Sequence, residues 1–197
     1  VQHKRCGLGI SMGVGKTRIA IQHIQRYYDP LIKVLVVVPK LSVKKAWLDE
    51  LEKMNLTDLE DHIDFTTYLS LKKQDPLAYS IIYLDECHSL KYSHELFLHR
   101  FYGRILGLTG TPPKGLNSEK GMMVNKYCPI KFTFTTDDAT ESNILNDYKI
   151  VIHELELSKL PTLKKKNKAG GFWYTSEKKD YDYVTNRLAA ANTDKQI

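Results

Sequence analysis

Cysteine is scarce. The three in this 197-residue chain, at positions 6, 87 and 128, are odd in number and widely spaced, which argues against a disulfide framework or a cysteine-rich zinc site. The expected setting is therefore an intracellular, reducing compartment, cytoplasm or nucleus. Long hydrophobic runs are also missing. Nothing approaches the roughly 20 apolar residues of a membrane span, and no signal peptide is read before the first apolar strand, so no membrane partner is expected. Internal repeats and extended low-complexity tracts are absent. Histidine offers little for a metal: His94 and His99 stand five apart, which does not align them on one helical face, and surface roles are expected for both.

Acidic excess is absent too. The formal net charge is +6, and it is concentrated. Residues 158–180 hold seven lysines (159, 164, 165, 166, 168, 178 and 179) against Glu177 and Asp180, so the rest of the chain is nearly neutral. Such a cluster reads either as a phosphate-binding patch or as a solvated loop. The neighbouring Phe172-Trp173-Tyr174 reads either as a base-stacking platform or as a hydrophobic anchor for the tail. The length is enough to bury a full single-domain core with material left over.

Three blocks carry chemistry. Arg5 to Ile10 is short, apolar or small, and reads as a buried strand; apolar residues at helical spacing begin near Lys16. Between them, Met12-Gly13-Val14-Gly15-Lys16-Thr17-Arg18 forms a glycine loop opening onto a helix. Gly13 and Gly15 permit the backbone angles that turn successive N–H groups inward as an anion nest, and the helix N-terminus adds partial positive charge. Lys16 would reach the outer phosphates of ATP and the Thr17 hydroxyl would hold Mg²⁺. The strict phosphate-loop pattern wants glycine at position 10, where this chain has Ile10.

Ser80 to Leu84 is a continuous apolar run ending in Asp85-Glu86, as a strand buried in a parallel sheet would, with ligands gathering at its carboxyl end. Asp85 is placed to bind Mg²⁺, and Glu86 to orient or deprotonate the attacking water. A third strand over Arg104 to Leu108 leads into Thr109-Gly110-Thr111-Pro112. Further strands are expected over 33–38 and 63–67, with helices over 16–28, 43–55, 69–73 and 95–102. Trp47, Leu48 and Leu51 should share one helix face. A segment over 148–157 is expected to close the sheet, and a helix to run over 181–191. Strands alternating with helices give an α/β fold with a central, mostly parallel sheet flanked by helices. The boundary of this domain is placed at 157/158.

These blocks resemble motifs I, II and III of superfamily 2 helicases and translocases, the second being the DExH variant of the DEAD box. Val36-Val37-Val38-Pro39-Lys40 resembles motif Ia, and Phe65-Thr66-Thr67-Tyr68 resembles motif Ib of Swi/Snf-type DNA translocases. Met12 leans towards that branch and towards phage and large-virus helicases. The resemblance covers roughly residues 5–157. It implies a RecA-like phosphate-loop NTPase domain that couples Mg-ATP hydrolysis to movement on nucleic acid, DNA favoured over RNA. It implies that Lys16 and Thr17 bind ATP and magnesium, and that Asp85 and Glu86 act in hydrolysis. His88, Thr109, Gly110 and Thr111 would relay the ATP state, and Pro39, Lys40, Thr67 and Tyr68 would follow a strand's phosphate backbone.

The adenine-reading glutamine of the family has no match, since Gln2 lies only fourteen residues before Lys16. A second helicase domain with its arginine-bearing motif is not in this sequence, and the expectation is a first motor domain of a longer protein, weakly active alone. The rivals are an RNA helicase, a phosphate-loop kinase or nucleotide switch, and a nucleic-acid-binding module built on the basic tail.

Overall fold

Val34-Leu35-Val36-Val37-Val38 shows how the chain builds its core: all five residues are buried, yet successive side chains go to opposite faces of a sheet. Val34, Val36 and Val38 join one apolar cluster with Ala20, Ile21, Ile24, Trp47 and Leu51. Leu35 and Val37 join a second with Leu98, Phe101, Val124 and Tyr127. A strand with no polar face is stable only with helices on both sides, which makes a three-layer arrangement.

The computed structural model describes residues 4–146, together with two strands at 163–166 and 172–174. The chain divides into two compact units, Val1–Asp147 and Tyr148–Ile197. In the first unit the strands are β1 (Arg5–Ile10), β2 (Val34–Val38), β3 (Ile63–Thr67), β4 (Ile81–Asp85), β5 (Arg104–Thr109) and β6 (Ile130–Phe134). They form one sheet in the order β3-β2-β4-β5-β1-β6, every pair parallel. The helices are α1 (Lys16–Arg26), α2 (Val43–Lys53), α3 (Glu95–Arg100), α4 (Glu119–Tyr127) and α5 (Thr136–Glu141). The second unit pairs β7 (Leu163–Lys166) with β8 (Phe172–Tyr174) in antiparallel fashion, Lys165 opposite Trp173.

The expected α/β architecture is present, with four differences. The sheet position beside β1 belongs to β6, which the sequence reading passed over; the segment expected to close the sheet (148–157), the 157/158 boundary and the 181–191 helix lie outside the described residues. The expected 69–73 helix is a 3₁₀ turn, Tyr68–Lys73. Lys164, Lys165 and Lys166 fall within strand β7, where a loop was one of the two expectations. His94 is buried instead of at the surface: its Nδ1 accepts the Lys91 N–H at 3.0 Å and closes a short 3₁₀ turn. Burial, with Lys91 nearby, holds its pKa below the ordinary histidine value.

Candidate active site

The loop between β1 and α1 is shaped by two glycines with left-handed backbone, Gly13 at φ 80° and Gly15 at φ 91°. Gly15 is the N-cap of α1 and offers no side chain to the helix. The first intrahelical bond is Ile19 N–H to Gly15 O at 3.0 Å, so the amides of Lys16, Thr17 and Arg18 have no helical acceptor and remain for an anion. Ile10, standing where the strict pattern wants glycine, is the buried last residue of β1. The nest is made by the glycines beyond it.

Sheet order explains why the third block belongs to the same site. β5 lies between β4 and β1, with Leu108 in register with Asp85 and Thr109 in register with Gly9. Thr109 therefore emerges between the phosphate loop and the acidic pair. Its hydroxyl donates to Glu86 Oε2 at 3.4 Å and accepts the Thr111 N–H at 3.1 Å. His88 Nδ1 lies 2.8 Å from Thr109 Oγ1, 3.2 Å from Thr111 Oγ1 and 3.3 Å from Glu86 Oε2. With the Thr109 proton used on Glu86, this arrangement needs the Nδ1–H tautomer of His88. Lys16 Nζ stands 3.8 Å from Glu86 Oε1. A Cβ added at Gly110 would lie 3.3 Å from both Lys16 Nζ and Met12 Cγ, so the third block packs directly on the first. Glu86 itself has φ 51°, a left-handed conformation unusual for a residue with a side chain, and it turns the carboxylate out of line with β4.

Asp85, the last residue of β4, is buried. Burial raises its pKa; the hydrogen bond from Trp47 opposes this, Glu86 adds to it and Lys16 opposes it. Trp47 Nε1–H donates to Asp85 Oδ2 at 3.2 Å, and Tyr68 OH donates to the Asp85 main-chain carbonyl at 2.8 Å. Neither bond is legible in the sequence, where Trp47 reads only as part of an apolar face.

The remaining expected site residues separate into two groups. Pro39 and Lys40 are exposed just past the carboxyl end of β2, and Thr67 is half-buried at the end of β3, so all three share the sheet edge with the loop. Tyr68 does not: it is buried, with its hydroxyl spent on Asp85, and cannot lie along a nucleic-acid strand as expected. Met12 is exposed, Val14 and Thr17 are half-buried, and Arg18 reaches Glu50 at 3.6 Å. A cavity of about 370 Å³ bounded by Lys4, Tyr27, Ser80, Tyr102 and Arg104 lies at the opposite, amino end of the strands and adds nothing to this site.

Among the described residues no group of three or more His, Cys, Asp or Glu could hold a metal. A hard cation here would take the Thr17 hydroxyl and the Asp85 carboxylate and complete its shell with phosphate oxygens and water, as Mg²⁺ does. The buried Asp85 carboxylate at the end of β4, within electrostatic reach of Lys16 at the phosphate loop, fits that demand.

Fold and site define a RecA-like phosphate-loop domain of the superfamily 2 helicase type. The chain belongs to the family described as type III restriction enzyme, res subunit, whose profile matches residues 1–114. It is 31% identical over 135 aligned residues to an African swine fever virus protein named as an ATP-dependent RNA helicase, QP509L, and versions from other isolates are 30% identical. That match takes in 56% of this chain and 26% of the viral protein, so the chain spans about a quarter of the length of these curated relatives. Among solved structures, the Hef helicase domain of Pyrococcus furiosus is similar at 19% identity and TM-score 0.49, covering 70% of this chain and 36% of that one. A nuclease-deletion mutant of the Type ISP restriction-modification enzyme LlaGI, in complex with a DNA substrate mimic, is similar at 18% identity and TM-score 0.49, covering 73% and 19%.

Proposed function

We propose that this domain binds Mg-ATP and hydrolyses it to drive movement along DNA, working with a second RecA-like domain of a longer protein. The observation that carries the reading is the single cluster formed by Lys16, Glu86, His88, Thr109 and Thr111, which joins three separate strand ends through contacts of 2.8 to 3.8 Å. A phosphate-loop kinase or switch needs the first two blocks but has no use for a histidine and two threonines tied to the water-handling carboxylate.

The amides after Gly15 and the Lys16 ammonium hold the triphosphate, and the Thr17 hydroxyl and Asp85 hold magnesium. Magnesium held there would supply positive charge to offset the charge that develops on the phosphates. Glu86 orients the attacking water and accepts its proton; Lys16, now resting against Glu86, is drawn toward the phosphates and leaves that carboxylate free to act. His88 and Thr109 share Glu86 Oε2, so any shift of the Thr109–Thr111 segment changes how Glu86 is held. That segment is the element through which nucleic-acid contact, made at the Pro39, Lys40 and Thr67 edge, would feel the nucleotide.

DNA is supported by membership of a restriction-enzyme family. The name of the viral relatives supports RNA as a second reading. ATPase rates of the intact protein with duplex DNA, single-stranded DNA and RNA separate them. Stimulation by DNA well above RNA is expected, the reverse order would transfer the assignment to RNA, and no stimulation by any would reject the motor.

A further inference from the structure

Asp85 is gripped at two points by residues outside the three nucleotide blocks, and we propose that Trp47 and Tyr68 are positioning residues that aim the Asp85 carboxylate at magnesium. This rests on the Mg-ATP reading above and deepens it.

A carboxylate at a strand end can rotate about two side-chain bonds, and the adjoining peptide can tilt. Both freedoms are removed here. Trp47, fully buried on α2, has its ring edge-on to Phe65 and to Tyr83, with centroids 6.2 Å away in each case. That packing leaves the indole a single orientation, and its N–H meets Asp85 Oδ2 at 3.2 Å. With Oδ2 fixed, the remaining lone pairs of the carboxylate keep one direction. Tyr68, also buried, fixes the Asp85 carbonyl at 2.8 Å, and so fixes the peptide from which Glu86 departs into its left-handed conformation. The two clamps come from different elements, α2 and the turn after β3. An indole serving only to fill the core would not need its one donor aimed at an acid; phenylalanine would fill much of the same space. Groups that orient a metal-holding side chain typically govern affinity about ten- to a hundredfold.

The test replaces Trp47 in the intact protein with 3-benzothienylalanine, which keeps the bicyclic shape and substitutes sulfur for N–H. Tyr68→Phe is made alongside. Manganese titrations followed by electron paramagnetic resonance, with a non-hydrolysable ATP analogue present, read metal half-saturation directly. Analogue binding in EDTA and the melting temperature are measured on the same samples. The expected result is a rise of about tenfold or more in metal half-saturation for each variant. Metal-free nucleotide binding should be unchanged, and the benzothienyl protein should melt close to wild type. A melting temperature that falls while metal half-saturation stays at the wild-type value would overturn the proposal and leave Trp47 and Tyr68 as core packing. Failure of the Mg-ATP reading would look different: wild type would not bind metal with nucleotide, or Lys16→Ala would bind the analogue as well as wild type, and the proposal would fall with it.

Discussion

Glu86 and Lys16 differ in what they do although they touch each other at 3.8 Å. Lys16 supplies charge to the phosphates, so Lys16→Ala should abolish productive ATP binding. Glu86→Gln keeps shape and hydrogen-bonding capacity but cannot accept a proton, so binding should survive while hydrolysis falls by about two to four orders of magnitude. Equilibrium binding of a fluorescent ATP analogue, set against single-turnover hydrolysis, separates the two effects; a Glu86→Gln protein turning over at the normal rate would refute its role. His88 deserves the same separation. Its contacts all run to Glu86, Thr109 and Thr111, so its replacement should spare nucleotide binding and weaken the response of the ATPase to nucleic acid.

Among the elements, those that carry the site were legible in the sequence, as were β2, α2 and α3 around it, whereas α4 and β6 were not. β1 and β3 begin and end where the patterns of small, apolar and β-branched residues place them, and β4 and β5 end at the acids and threonines that mark the site. The helix α4 was missed because Gly121 interrupts its pattern. The structure shows why glycine is there: a Cβ at 121 would overlap the Gly115 carbonyl oxygen, so the helix can pack on the preceding loop only without one. β6 was missed although Ile130-Lys131-Phe132-Thr133-Phe134 alternates, a signal that favoured a strand. The Trp47–Asp85 bond joins residues 38 apart and exists only once α2 lies across β4, which no local pattern encodes. At α4 the helix start can be tested. The Ser118 hydroxyl accepts the Gly121 N–H at 3.0 Å, so Ser118→Ala should lower unfolding free energy by about 1 kcal/mol, read as a shifted urea midpoint with unchanged slope. No shift would mean that water replaces the cap without loss.

Over the whole first unit, two histidines are held neutral by the fold, and this sets how its stability answers to pH. His23, on α1, is half-buried, its Nδ1 2.6 Å from the Tyr83 hydroxyl. Burial lowers its pKa, and Arg104 lowers it further. His94 is lowered mainly by burial, and protonation would also remove the Nδ1 lone pair that accepts the Lys91 N–H. Both groups start from an ordinary value of 6.5 in the unfolded chain. Below that value the unfolded state binds more protons than the folded one, so stability is fully present above it, falls with pH through the window down to the folded values, and levels off beneath them. The carboxylates Asp64, Asp138 and Glu95 act in a separate window, because their pKa values are lowered by Lys33, by Thr135 and by Lys126 respectively, and their contribution is lost only in stronger acid. Urea unfolding measured from about pH 7.5 down to about pH 5 should therefore show a falling midpoint before Asp64, Asp138 or Glu95 takes up a proton. His23→Gln and His94→Gln should each flatten that slope, even if each lowers the midpoint at neutral pH by losing its contact. A slope as steep in the double variant as in wild type would show that the sensitivity comes from elsewhere, and that these two imidazoles are as free to take up protons folded as unfolded.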